Sequence, residues 1–356
     1  TAYLAVFVQV PVSIYQARQQ PRPVMALTIL NATALASATI IFVVVLEQGA
    51  LGALRGALTG TAITAVVAIA LTLRLSSLHL SSHWISRSLA FSLPLVPHLL
   101  GTWILYLSDR IVLERYVSAA DLGLYSIGAA VGTAMHFFAV AVGRAFAPAI
   151  TLALKDPAER KQVPQLGTFW LLGLAWAAVA MSLLLTDVIR VLAPGAFHEA
   201  TKVVGWIVFG YLAFGVYNVA AQGTYFSMRP RWVPALTLAA GALNVALNFA
   251  LIPSLGIVGA AIATLIAFVA LAVMQGALSQ RLYPISWEYG RWTKIVAAAL
   301  LTFAVGNLGG GETTAWTFAV KVIAILLVMP IALTALGFWR PEERRHLRDV
   351  IAVSRL

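Results

Sequence analysis

Between Leu122 and Leu154 the chain carries one formal charge, Arg144. A guanidinium offers planar, multi-donor contacts to phosphate oxygens, and an ionisable side chain inside an apolar run is a functional hypothesis by default. His136 lies eight residues earlier. At 100° per residue, Tyr125, Gly132, His136 and Gly143 fall within about 40° of one another, with Arg144 about 80° round from His136. One side of this run is therefore polar, small and aromatic. A second set, His98, Thr102 and Asp109, shares a helical face within about 40°. Pro94 and Pro97 precede it and interrupt the hydrogen-bond ladder, which kinks a helix. Next to Asp109 stands Arg110.

Each of these residues has a plainer reading. Eleven residues short of Lys155, Arg144 falls near a span end, where an interfacial arginine needs no function. His136 could be a hydrogen-bonded packing residue, and the prolines could be tolerated rather than a hinge. Asp109 and Arg110 could gate a passage or simply cap a helix, with Arg110 and Glu114 forming an i,i+4 pair.

The elements that must position these groups are membrane helices. The chain is 61% hydrophobic and 10% charged, against roughly 25% charge in soluble domains. Its runs are about twice the ~10 residues of a membrane strand and apolar on every face, so helices must satisfy the backbone. Eleven runs stand out: 1–17, 24–46, 51–73, 85–107, 121–150, 166–185, 203–226, 233–252, 257–280, 295–308 and 315–337. The charged stretch SDRIVLERYVSAADLGLYSIG (108–128) reads as a loop between two spans. Seventeen of the 24 Lys and Arg fall in one set of alternate loops and the tail. They lie at Arg18 and Arg22, Arg74 and Arg87, Lys155 to Lys161, Arg229 and Arg231, Arg281 to Lys294, and from Arg340 onward. The positive-inside rule places that set, and the C-terminus, in the cytoplasm. The net charge of +11 is thus spread over loops rather than gathered on a nucleic-acid-binding face.

The sequence also repeats. QQPRPVMAL (19–27) aligns with MRPRWVPAL (228–236), and GALGALRGALTG (49–60) with GIVGAAIATLIA (256–267). Gly52, Gly56 and Gly60 then correspond to Gly259, Ala263 and Ala267, a small-residue ladder that permits close helix approach. The copies have the same membrane orientation, so the repeat axis runs along the membrane normal. The expected organisation is a remainder of an N-lobe with three spans (1–73), a cytoplasmic amphipathic linker (74–87), a six-span C-lobe (88–281), and two extra spans with a basic tail (282–356). By the same count about three more spans, roughly 110 residues, are expected upstream, making about 11 helices of 14.

SDRIVLERYVSAADLGLYSIG resembles the "DR…G…GxYs" stretch of polysaccharide-export and O-antigen flippases, and LNVALNFALIPSLGIVGAAIATLIA (243–267) resembles a segment those proteins carry across two spans of their second lobe. With the repeat, the chain is similar to the multidrug/oligosaccharidyl-lipid/polysaccharide exporter superfamily. The resemblance implies an all-α integral membrane protein with a MATE/MOP-like two-lobe helical bundle. It further implies a flippase moving undecaprenyl-diphosphate-linked oligosaccharide across the bacterial cytoplasmic membrane by alternating access, with the lipid-linked glycan, membrane lipids and polysaccharide polymerase machinery as partners. Cationic residues in such cavities meet the lipid pyrophosphate; here that role maps to Arg144, with His136, His98, Thr102 and Tyr125 lining the wall.

Other readings stay open. A lipid II flippase or a cation-coupled multidrug exporter would share the fold, the latter usually with carboxylates inside its spans. A membrane glycosyltransferase or polysaccharide ligase would need carboxylates or histidines on a sizeable outer loop, and the longest candidate, 186–202, is short. No catalytic residue or cofactor is expected, and no metal either, because His79 and His83, at i,i+4 spacing, have no third ligand nearby. Asn218 and Gln222, and Asn244 and Asn248, read as interhelical hydrogen-bond glue. Lys321 reads as snorkelling outward, and Arg55 sits near the outer end of its span.

Overall fold

Each of the eleven apolar runs falls on helix in the computed structural model, which describes residues 2–18, 20–75, 81–93, 96–227, 232–308 and 314–343. No strand occurs among the described residues. The helices are α1 (Ala2–Ala17), α2 (Pro21–Ile40), α3 (Gly49–Leu75), α4 (Ser82–Ser92), α5 (Val96–Tyr116), α6 (Ala119–Lys155), α7 (Val163–Leu192), α8 (Thr201–Ala220), α9 (Gln222–Phe226), α10 (Val233–Leu282), α11 (Tyr289–Gly306), α12 (Ala315–Ile323) and α13 (Met329–Ala335). Seven helical segments among the described residues are long and apolar enough to cross a membrane. The protein is therefore a multi-pass, all-α membrane protein. Its contacts divide it into two compact units, 1–89 and 90–356.

Two expectations about the middle of the chain need correcting. The run 85–107 falls on two helices, α4, which ends at Ser92, and α5, which begins at Val96. Pro97 is the second residue of α5, where a missing N–H costs nothing, so it starts a helix rather than kinking one; Pro94 lies outside the described residues. Nor is 108–128 a loop. α5 runs on to Tyr116 and α6 starts at Ala119, leaving a two-residue turn, Val117 and Ser118. Ser118 caps α6, its Oγ accepting from the Asp121 N–H at 3.1 Å and donating to Asp121 Oδ2 at 2.7 Å. Helix continues through the charged residues because helical backbone needs no apolar side chains once its end is capped.

In the first unit α2 continues through a π-turn (Ile41–Val45) and returns as α3. A Cβ added to Gly52 would lie 2.6 Å from the Phe42 carbonyl oxygen, one at Gly56 2.5 Å from Thr39 Cα, and one at Gly60 2.5 Å from Leu35 Cα. In the second unit α10 is a helical hairpin, its arms 233–255 and 257–282 meeting at Gly256. There a Cβ on Gly259 would lie 2.5 Å from the Leu251 carbonyl oxygen. Phe42 and Leu251, like Gly52 and Gly259, are equivalent positions of the sequence repeat, so the same close approach recurs in both copies.

Gly256 has φ 55° and ψ −134°, a region that side chains with a Cβ avoid. Nothing lies within 4 Å of its Cβ position, so a substitution here tests backbone strain alone. Gly256→Ala is expected to cost about 1–3 kcal/mol, read as a lowered unfolding midpoint in detergent. An unchanged midpoint would show that the hairpin tolerates a different turn.

The rest of the second unit packs around α10. α5 lies along its first arm, where a Cβ on Gly101 would come within 2.8 Å of the Thr237 backbone. α8 packs on α10 and on α6, α7 on both α6 and α8, and α11 with α13 on α7. Trp170, Leu174 and Ala178 of α7 sit in the largest buried cluster with Met135 and Ala139 of α6 and Val204 and Val208 of α8.

Several charged side chains are held by partners within the fold. Arg291 is buried, bonded to Glu288 at 3.0 Å and Glu343 at 2.9 Å, with its guanidinium 4.3 Å from the Phe338 ring centre. Lys321 does not snorkel. It is 4% exposed, and its Nζ donates to both oxygens of Asp187 at 2.7 and 2.8 Å. The helix turns its amine toward α7 because a carboxylate waits there, buried as deeply. Arg55 donates to Gln48 Oε1 at 2.8 Å.

Candidate functional site

The described candidate site residues lie in the second unit, on α5 and α6. These two helices touch each other through long side chains, Asp109 with Tyr125 and Tyr106 with His136. Asp109 is buried on α5. Its Oδ2 accepts a hydrogen bond from the Tyr125 hydroxyl of α6, and its Oδ1 accepts from the Arg110 N–H at 2.7 Å. The Arg110 guanidinium lies 3.9 Å from Oδ1 and donates to the Tyr106 carbonyl at 3.0 Å. Arg110 thus turns back toward Asp109 and Tyr106 instead of forming the expected pair with Glu114, and Asp109 caps no helix end, since α5 continues for seven residues. With 1% of its surface exposed, Tyr125 holds Asp109 rather than facing outward.

Farther from the turn, Tyr106 Oη lies 3.3 Å from His136 Nδ1. Around them gather Tyr211 and Phe214 of α8 and Phe268 of α10, ring centres 5.0 to 6.5 Å apart. His136 is half-buried, so its imidazole has one partner within the protein and one edge open. Sequence reasoning missed Tyr106 although it shares the helical face of Thr102 and Asp109. Its aromatic partners on α8 and α10 gave no such signal, because only packing brings those helices here.

His98 and Thr102 are set apart from this group. His98 Nδ1 lies 3.2 Å from Thr237 Oγ1 of α10, and Thr102 donates to the His98 carbonyl at 2.8 Å. Beside Asp109, Ser108 donates to Asn244 Oδ1 at 2.6 Å, and Asn248 Nδ2 reaches Asn244 Oδ1 at 3.1 Å. The amides of Asn244 and Asn248 therefore do join α10 to α5. Those of Asn218 and Gln222 do not join helices: they donate to the carbonyls of Phe214 and Asn218, four residues back on their own side of the chain.

Arg144 is exposed and forms no hydrogen bond or ion pair among the described residues. Its neighbour Gly143 faces Trp170 of α7, where a Cβ would lie 3.3 Å from the indole ring, so Arg144 points away from the core. Pro148, four residues on, has no N–H to give the Arg144 carbonyl. His136 lies ~12 Å away along the helix. The structure thus assembles Asp109, Arg110 and Tyr125, joins His136 to Tyr106, and leaves Arg144 as an unpaired cation on the same helix. No group of three or more His, Asp or Glu able to hold a metal occurs among the described residues.

Residues 1–153 match the model of a family described as polysaccharide biosynthesis protein, a region that takes in α5 and all but the last two residues of α6. A search of curated proteins returned no match. Among solved structures, the chain is similar to one titled "Lipid II flippase MurJ, inward closed conformation". The TM-score is 0.73 at 16% identity, covering 98% of this chain and 72% of that one. The two chains share a fold.

Proposed function

We propose that this protein is a flippase that carries undecaprenyl-diphosphate-linked oligosaccharide across the bacterial cytoplasmic membrane by alternating access, for cell-surface polysaccharide biosynthesis. The family match supports the polysaccharide pathway, and the fold shared with a lipid flippase supports transport rather than catalysis. The observation that carries the reading to particular residues is the unpaired Arg144 within the family-matched region. A cation left without a protein partner on an apolar helix has its donors available for an anionic lipid headgroup. His136 and Tyr106 would line the path beyond it. Asp109, Arg110 and Tyr125 would act as a clasp between α5 and α6 whose opening gates that path. The distribution of bases supports a cytoplasmic C-terminus, so Arg144 lies toward the cytoplasmic end, where a substrate made inside arrives. The two compact units are proposed as the N-lobe remainder and the C-lobe with its extra spans, and polymerase machinery would receive the product.

The intact gene is expected to restore surface glycan in a strain lacking its own repeat-unit flippase. Arg144→Ala should lose that restoration by about tenfold or more, the scale of a lost charge-assisted contact, while Arg144→Lys keeps most of it. Wild-type glycan from Arg144→Ala would remove the residue from the site. A drug exporter finds less support, because Asp109 and Asp187, the buried carboxylates among the described residues, are both held by partners within the fold.

A further inference from the structure

On the side that carries the basic loops, the turn between α6 and α7 and the loop after α10 border a cavity of about 560 Å³. Two of its lining side chains, Arg160 and Lys161, are cations, and none is an acid. Neither cation makes a side-chain hydrogen bond or ion pair among the described residues. The acids of the same turn, Asp156 and Glu159, do not line the cavity, and Asp156 Oδ1 accepts from the Ala158 N–H at 2.8 Å. By contrast, Arg291 is paired with Glu288 and Glu343, and Arg340 with Glu288. The cavity's walls are fixed. The Arg160 guanidinium lies 4.7 Å from the Tyr283 ring centre, which orients it. Gln280 of α10 pins the facing loop, donating to the Ile285 carbonyl at 2.7 Å and accepting from the Ile285 N–H at 3.1 Å.

The depth of the cavity indicates what can reach it. α6 ends at Lys155 and α7 begins at Val163, so the turn lies where two apolar spans stop. Tyr283, Trp287, Tyr289 and Trp292 follow in the loop and the first turn of α11, an aromatic belt of the kind that sits at headgroup level. Leu154, Val163 and Ile285 line the cavity and belong to the buried core beneath it, so the cations stand over an apolar floor. A basic pocket between spans at the membrane surface suits the phosphate of an anionic lipid. A soluble anion would gain nothing from the apolar floor, whereas a lipid has an acyl chain to set against it.

We infer that this cavity binds the phosphate of an anionic phospholipid from the adjoining leaflet, with Arg160 and Lys161 as its counter-ions. The lipid braces the α6–α7 turn against the α10–α11 loop. Arg144 lies ten residues before Leu154, ~15 Å along α6, so this site is separate from the one proposed for the transported substrate.

The full chain is to be tested in phosphatidylcholine nanodiscs. It has no cysteine, so a bimane attached through Ala158→Cys, an exposed position in the same turn, reports locally. Phosphatidylglycerol with a nitroxide near the headgroup end of one acyl chain should quench the bimane more than phosphatidylcholine labelled in the same way. Arg160→Gln should weaken that preference about fivefold, and Arg160→Gln with Lys161→Gln about thirtyfold. Arg160→Lys with Lys161→Arg should keep most of it. Both side chains are exposed, so all these variants should unfold at the wild-type midpoint. Equal quenching by the two lipids, or a preference unchanged in the glutamine variants, overturns the inference. So does an equal preference at a second bimane, attached through Ala90→Cys near Arg87 of α4, since that would be general attraction to basic loops. Loss of the preference when inorganic phosphate replaces chloride at equal ionic strength would assign the cations to a soluble anion, and also overturns it. No glycan takes part in these measurements, so their outcome is independent of the flippase reading.

Discussion

Lys321→Met should destabilise the protein by about 3–5 kcal/mol, the cost of taking the paired cation from a buried carboxylate. Lys321 and Asp187 lie 134 residues apart in sequence, yet the amine meets both carboxylate oxygens within 2.8 Å, and the two residues are 4% and 3% exposed. They join α12 to α7. Removing the amine leaves a carboxylate among apolar helices with little water to solvate it. Replacing both partners by apolar residues of similar size removes the desolvation cost together with the attraction, which is often neutral. Asp187→Leu combined with Lys321→Met should therefore recover most of the loss. Unfolding midpoints of the wild type, two single variants and the double variant form the test. A Lys321→Met protein within about 1 kcal/mol of wild type would mean that the pair is solvated, as a snorkelling lysine would be.

The second large effect is expected at Gly56. Its Cα faces the α2 backbone so closely that an added Cβ would fall 2.5 Å from Thr39 Cα and 2.7 Å from the Thr39 nitrogen. Backbone cannot rotate aside as a side chain can, so Gly56→Leu must push α3 away from α2 along the whole Gly52, Gly56, Gly60 ladder. Overpacking costs typically 1–3 kcal/mol where side chains can give way, and here about 3 kcal/mol or more is expected. The chain contains no cysteine, so Thr39→Cys paired with a cysteine at Ala57 reports the spacing of α2 and α3 without background. Cross-linking should fall when Gly56→Leu is added. Unchanged cross-linking and an unchanged midpoint would show that α2 and α3 do not rely on the glycine contact.

Much of this architecture is legible in the residues themselves. Apolar runs longer than a strand fix helices, and the helices fall where the runs do, even where charge suggested an interruption. The glycine ladder and the alignment of 49–60 with 256–267 anticipate a close approach that both copies then make at equivalent positions. At the α5–α6 turn the same reasoning fails, because the charge of Asp109 and Arg110 suggests a boundary that is not there. Charge marks a boundary only when it meets water. Asp109 instead meets Tyr125, sixteen residues on, across a two-residue turn.

By itself the sequence determined that this is a helical membrane protein, which segments are helical, and that α2–α3 and α10 are copies of one hairpin. Those properties follow from local hydropathy and from spacing along a single helix. Tertiary structure alone decided which polar groups are spent and which remain free. Lys321 is neutralised by Asp187, and His136 is met by Tyr106. Asn218 turns back on its own helix while Asn244 crosses to α5. The physical reason is that a polar group in an apolar bundle takes whatever partner helix packing brings within about 3 Å, and packing joins residues more than a hundred positions apart. Arg144 keeps its donors because no such partner was brought to it.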